Sequence, residues 1–207
     1  MSAGIEIGDD GRARCWWADS DPLLKPYHDG EWGRPVADDR RLFEKLCLEA
    51  FMSGLSWLTI LRKRESFRRA FANFEMDAVA GFAAGDEERL MSDAGIVRNR
   101  AKVAATINNA RRCQALVAEF GSLAAYVWRY EPAERAGLLS REALLELSFN
   151  AEAEAMSKDL RRRGWTFVGP TTVYSFMQAM GLVNDHLEGC FAAEEVASLR
   201  RAFQRPG

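Results

Sequence analysis

The sequence predicts an all-α fold, and three observations carry that prediction. Apolar residues recur at helical spacing through most of the chain, helix-end signals punctuate those stretches, and no segment alternates apolar with polar residues as a half-buried strand would. The first strong element is "DRRLFEKLCLEAFM", residues 39–52, where Leu42, Phe43, Leu46, Cys47 and Ala50 fall on one side. After Gly54, "LSWLTILRKRESFRRAFANF" continues the period. "GDEERLMSDAG" places acids in its first turn and stops at a glycine, and "RNRAKVAATINNARRCQALVAEFG" closes the same way. "REALLELSF", "AEAEAMSKDLRRRG" and "TTVYSFMQAMG" read as further helices. The first 35 residues are irregular, rich in Gly, Asp, Pro and aromatics, and the tail after Cys190 has room for one short helix.

At 207 residues, 48% hydrophobic and 28% charged, the composition is that of a globular protein with a substantial core. There is no internal repeat and no low-complexity linker, so one continuous domain over 1–207 is expected, with termini at 14–35 and 181–192 and a helical body at 39–180. No apolar run is long enough to cross a bilayer, and "MSAGIEIGDD" lacks a signal-peptide layout, so no membrane partner and a cytoplasmic location are expected. The formal charge of −2 advertises no polyanion partner globally, yet "LRKRESFRR", "RNRAK" and "RRR" are local basic clusters, and a basic face suffices for nucleic acid.

The four cysteines, at 15, 47, 113 and 190, are too widely spaced for the disulfide framework of a small secreted domain. Cys47 and Cys113 lie in helical patterns and read as buried thiols. Cys15 and Cys190 each have a histidine nearby: Cys15 precedes His28, and His186 lies four before Cys190, on the same face if helical. Cys15, His28, His186 and Cys190 use both histidines of the chain and make a Cys2His2 set suited to one zinc ion. Four protein ligands leave no open position for water, so the role of such an ion would be structural. From spacing alone, a chance arrangement fits equally well. Asp185 reads either as a carboxylate orienting an imidazole or as an exposed helix-end acid.

Glu49 borders the apolar stripe of its helix, seven after Leu42, and aromatics surround it in sequence: Trp16, Trp17, Tyr27, Trp32 and Trp57. A carboxylate beside an aromatic cavity suits a planar cation; a solvated acid at the edge of a core stripe fits the same pattern. In "RRRGWTFVGPTTVYSFMQ", Gly169 permits close backbone approach and Pro170 suits a helix start, so the N–H groups near Thr171 and Thr172, with Arg161, Arg162 and Arg163 nearby, are placed to hold a phosphate. "VGPTT" is not a Walker loop, and no nucleotide cofactor is expected.

Taken together, "RCWWADSDPLLKPYHDGEWG", "LFEKLCLEAFMSGLSWLTILRKRESFRRAF", "DAGIVRNRAKVAATINNA" and "RGWTFVGPTTVYSFMQAMGLVNDHLEGC" resemble the 3-methyladenine DNA glycosylase I family, over most of residues 14–190. The resemblance implies a helix-hairpin-helix DNA glycosylase fold with a structural zinc joining the N- and C-terminal regions through Cys15, His28, His186 and Cys190. It implies a single glycosylase domain that acts as a monomer on alkylated double-stranded DNA, hydrolysing the N-glycosidic bond of 3-methyladenine. It places the base-recognition carboxylate on Glu49 and the stacking rings on Tyr27 and Trp57, the base held between them. Trp17, Trp32 and Ser175 fall near the same pocket, and the DNA-gripping hairpin on "FVGPTT", with Gly169, Thr171, Thr172 and Arg162. No lysine reads as a Schiff-base nucleophile, so strand cleavage is not expected. The chain departs from the family pattern at Ala50 and Met52, where glycine and glutamine are common, and at Thr171, where the hairpin's second glycine falls. The other reading is a zinc-stapled helical DNA-binding protein without activity, or a glycosylase of the same fold with another lesion preference.

Overall fold

A computed structural model describes residues 4–135 and 137–207; the remaining positions of the expected 1–207 domain lie outside it. Among the described residues there are eleven α-helices and one two-stranded sheet. The expected helices form. Helix α2, Asp39–Met52, starts where the Asp38 side chain accepts from the Arg41 N–H. Helix α3, Trp57–Ala70, starts at Ser56 in the same way, and α6, Arg100–Phe120, runs from Asn99 to Gly121. Helices α5 (Ala84–Ser92), α8 (Arg141–Glu146), α9 (Ala151–Arg162) and α10 (Pro170–Ala179) follow the sequence pattern to within a few residues, and the tail forms α11, Phe191–Ala202.

Three short helices escaped the period-based reading: α1 (Leu24–Gly30), α4 (Met76–Ala80) and α7 (Leu123–Trp128). At five to seven residues they are too short to display a periodic stripe. The expectation of no strand is corrected as well. Ile5–Ile7 (β1) pairs antiparallel with Ala13–Cys15 (β2), and three-residue strands have no room for a visible alternation.

One large apolar core runs from Leu24 to Val183, and a smaller cluster gathers Cys15, Leu187, Cys190, Ala192 and Ala193 where the chain ends meet. Helix α10 packs on both α9 and α2, which sets it between the α9–α10 turn and the helix that carries Glu49. Gly181 fixes the other end of α10. Its φ is +79°, and a Cβ there would lie 2.5 Å from the backbone of Arg34 and Pro35, so only glycine admits this crossing. There the Val36 N–H donates to the Met180 carbonyl at 3.3 Å, which holds the chain at 34–36 against the end of α10.

Candidate functional site: an aromatic cleft beside a Cys2His2 cluster

Helix α1 presents Tyr27 and His28 in succession, and the two neighbours serve different places. Tyr27 faces an open cleft of about 490 Å³, whose walls include Trp17, Trp32, Glu49, Trp57 and Ser175. His28 faces the meeting point of the chain ends.

There the four expected ligands converge. Cys15, His28, His186 and Cys190 are all buried, with one ligand atom from each inside a 4.8 Å span. Cys190 Sγ stands 3.5 Å from His28 Nε2 and 3.6 Å from His186 Nδ1, and Cys15 Sγ stands 3.9 Å from His186 Nδ1. A tetrahedral zinc with ordinary Zn–S and Zn–N bonds separates sulfur from nitrogen by about 3.5 Å, so the donor set fits that ion. Each imidazole is aimed by its other nitrogen: His28 Nδ1 lies 2.8 Å from Asp29 Oδ1, and His186 Nε2 donates to the Trp32 carbonyl at 3.3 Å. Gly33, at φ +81°, is what lets the chain bend there; a Cβ would press on His186 Nε2 at 3.1 Å. The two thiols also influence each other. The Cys15 contact and the imidazoles hold Cys190 far below its usual range, while Cys190 and burial push Cys15 up. Adjacent thiols cannot both ionise comfortably without a cation between them.

The reading of Asp185 is corrected on both counts. It is fully buried, not exposed, and it accepts from Tyr174 at 2.7 Å, Gln178 at 2.9 Å and Arg135 at 3.0 Å, with no bond to an imidazole. The carboxylate that orients a histidine is Asp29, whose other contacts are with the buried Arg14 guanidinium.

In the cleft, Glu49 is 3% exposed, so the reading of it as a solvated acid does not hold. Its Oε1 lies 2.7 Å from Lys45 Nζ, and its Oε2 has no partner. Trp57 Nε1 is likewise buried without an acceptor. Native interiors rarely leave such atoms unsatisfied; a buried carboxylate oxygen and a buried indole N–H without partners, on two residues that line one cleft, are candidates to meet a ligand's donor and acceptor. Tyr27 is buried, and burial with the Glu49 charge pushes its pKa well up, which keeps the hydroxyl neutral and able to donate.

The sandwich between Tyr27 and Trp57 is not supported by the ring geometry. Their centroids are 5.1 Å apart and tilted by 41°. A base stacked between two faces needs them about 7 Å apart, two van der Waals thicknesses. Lys45 also stands in the way, with Nζ 3.2 Å from the Trp57 centroid. The room lies instead in front of the pair, bounded by Trp17, which meets Trp32 edge-on at 5.1 Å.

Three contributors were missed in the sequence. Lys45, buried against Glu49, and the cleft-lining Gln178 are two of them, and the i,i+4 relation of Lys45 to Glu49 was the available signal. Leu55 is the third, 44% exposed in the loop that enters Trp57. Met52 does line the cleft, whereas Ala50 is buried in the core.

The expected phosphate site sits at the turn between α9 and α10. Gly169 caps α10, Pro170 takes its first position, Thr171 is exposed and Thr172 partly so. Two asparagines of α6 clamp the turn: Asn108 donates to Gly164 O at 2.8 Å, and Asn109 bonds Thr166 in both directions. Phe167 adopts φ +55° at its tip and is 38% exposed. Arg162 is paired with Asp159, while Arg161 reaches over Gly169, so the arginine nearer the turn is Arg161. Because Ser175 and Gln178 sit further along α10, one helix connects the turn to the cleft.

The methyladenine glycosylase family model matches residues 17–193. The chain is 44% identical to DNA-3-methyladenine glycosylase 1 of Escherichia coli K12, over 86% of this chain and 95% of that protein. It is 40% identical to DNA-3-methyladenine glycosylase of Haemophilus influenzae Rd, over 86% and 96%. A crystal structure of 3-methyladenine DNA glycosylase I superposes with a TM-score of 0.81 at 43% identity, covering 86% of this chain and 98% of the other. The Staphylococcus aureus enzyme, solved for the basis of its 3-methyladenine recognition, superposes with a TM-score of 0.80 at 37% identity, over 86% and 94%. With the family's model spanning most of its length, this chain belongs to the methyladenine glycosylase family.

Proposed function

We propose that this protein is a DNA base-excision repair enzyme that hydrolyses the N-glycosidic bond of 3-methyladenine in alkylated double-stranded DNA. It releases the free base and leaves an abasic site. The observation that carries the reading is the pair of unpartnered buried atoms, Glu49 Oε2 and Trp57 Nε1, on the wall of an aromatic cleft open to the surface.

The lesion must leave the stack before any residue can reach it, at a cost of a few kcal/mol that a damaged base lowers. Leu55, an exposed apolar side chain in the loop between the cleft-lining Met52 and Ser56, is a candidate to fill the vacated gap. The turn capped by Gly169 holds the backbone through N–H groups at the start of α10, with Thr171, Thr172 and Arg161 around it. Inside the cleft the base lies against Trp57 and Trp17, with Ser175 and Trp32 on the walls and the Glu49 carboxylate accepting from its edge. Alkylation at N3 leaves the purine positively charged and its glycosidic bond weak. The enzyme's work is therefore to extrude, hold and admit water, and selective holding supplies the discrimination.

One zinc ion fits Cys15, His28, His186 and Cys190 as a purely structural cross-link, since a full tetrahedral donor set leaves no position for reacting water. Its place is to hold α1, and through it Tyr27, against the C-terminal segment.

The test is direct. The protein is incubated with methylated duplex DNA and the liberated base identified by chromatography. Free 3-methyladenine with intact strands until alkali treatment is the expected result; tight DNA binding without base release would show a binding protein instead, and release of a different purine would show another lesion preference.

A further inference from the structure

Lys45 makes, from inside the protein, two of the contacts that the preceding reading assigns to the damaged base, to Glu49 and to a face of Trp57, and adds one to Tyr27. Its ammonium is 2.7 Å from Glu49 Oε1, donates to the Tyr27 hydroxyl at 2.9 Å, and lies 3.2 Å from the Trp57 ring centroid and 5.1 Å from that of Tyr27. Carboxylate, phenol and indole face are all engaged by a cation that the chain carries itself. The cleft is therefore a neutral pair before the base arrives, and Glu49 is not an isolated anion awaiting a positive charge.

We propose that Lys45 is a specificity-determining residue that makes cation binding in this cleft proton-coupled: a positively charged purine settles against Glu49 as Lys45 loses its proton. The proposal rests on the base-cleft reading above and concerns what controls that site. Two unit charges a few ångströms apart repel strongly where one of them is as buried as Lys45, and the amine is the one that can discharge. Its bond to Tyr27 survives the change, since the neutral amine still donates. The departing proton goes to solvent through a narrow cleft behind the Tyr27–Trp57 pair, bordered by Glu31, Arg41, Glu44, Arg64 and Arg68.

The surroundings favour discharge. Burial lowers the Lys45 pKa, and Glu49 opposes that shift. Of the other charges facing it, Arg64 from α3 is paired with Glu31 following α1, and Arg68 of α3 with Glu44 of α2; Arg41 lies on Lys45's own helix, and Met180, just past the end of α10, brings no charge to this wall. The neutral Tyr27 completes the set. No second carboxylate is bonded to Lys45; the Glu31 charge also favours its proton and the Arg64 charge opposes it, so Glu49 is the one bonded acid that holds the proton in place.

The probe is 3,9-dimethyladeninium, a permanent cation with methyl in place of the sugar, titrated against the whole protein from about pH 6 to about pH 9 with tryptophan fluorescence and calorimetry in two buffers of different ionisation heat. The wild type is expected to release about one proton per cation bound, its affinity rising up to about tenfold per pH unit across the window between the amine's pKa in the filled and the empty cleft. Lys45→Met should bind the cation at least about tenfold more tightly near neutrality with no proton release. Lys45→Arg, which cannot discharge, should bind weakly at every pH. Proton-independent binding by the wild type overturns the proposal, as does Lys45→Met binding no tighter than wild type; should that variant fail to fold, the wild-type proton count decides alone. Wild type that releases 3-methyladenine from DNA yet binds the cation without proton release contradicts only the role of Lys45. Wild type that releases no base contradicts the cleft reading and this proposal with it.

Discussion

The two sites fed by α1 differ in how completely the protein satisfies them. At the chain ends, all four donor atoms converge, and each imidazole has a second partner that fixes its orientation, Asp29 for His28 and the Trp32 carbonyl for His186. In the cleft, Glu49 Oε2 and Trp57 Nε1 are left without a partner. A site built for stability closes its hydrogen-bond account within the chain; a site built for a ligand leaves atoms that only the ligand completes. Tyr27 and His28, adjacent in sequence, divide between these two purposes.

The largest effect that would break this contrast is at the metal end. Cys190→Ala leaves three donors, and structural zinc contributes on the order of 10 kcal/mol to small metal-folded peptides; loss of zinc in elemental analysis with a melting temperature lower by well over ten degrees is the expected outcome. Chelation of the wild type should reproduce it. If neither treatment changes stability, the cluster is not a staple.

Next in size is the cleft. Trp57→Ala removes both a stacking face and the open indole N–H, and base release should fall by roughly two orders of magnitude, as expected when a base-stacking contact and a hydrogen bond are lost together. The melting temperature should move little compared with Cys190→Ala, because Trp57 is only half buried.

Smaller again is Asp29→Asn. The amide still bonds His28 Nδ1 but loses the charge, and zinc affinity should drop by about ten- to a hundredfold in a competition titration with a chromophoric chelator. Asp185→Asn, at the acid for which the sequence left an imidazole-orienting role open, should leave zinc affinity unchanged, because its partners are Tyr174, Gln178 and Arg135. Smallest is Arg161→Ala at the α9–α10 turn: DNA affinity should weaken for damaged and undamaged duplexes alike, with the salt slope reduced by about one.

How much of this was legible in the sequence follows from the kind of signal each feature leaves. Helices α2 and α6 were, because fourteen and twenty-one residues give the period room to show and Asp38, Asn99 and Gly121 mark their ends. The hairpin of Ile5–Ile7 with Ala13–Cys15, and the seven-residue α1, were not, since their conformation comes from packing around Arg14 and the ligand cluster. Cys15, His28, His186 and Cys190 were visible because rare residue types carry their own label. Lys45 was invisible because lysine is abundant on helix surfaces, and only its position over Trp57 reveals that this one faces inward. Asp29 was overlooked for Asp185 by the same weakness: proximity to a histidine in sequence says nothing about which ring nitrogen a carboxylate can reach. Likewise the Tyr27–Trp57 sandwich was a sequence expectation that a 5.1 Å ring separation does not accommodate.

The central claim is that the open oxygen of Glu49 holds the damaged base, and single-turnover base release by Glu49→Gln tests it most directly. Glutamine keeps an oxygen for Lys45 and turns an N–H₂ toward the cleft, so shape survives while the acceptor and the charge are lost. The account predicts a rate on 3-methyladenine in duplex DNA at least about a hundredfold below wild type, of the size seen when a key polar contact is lost from an active site, with zinc content and affinity for undamaged DNA retained. A variant that is folded, binds DNA and releases the base at the wild-type rate would contradict it.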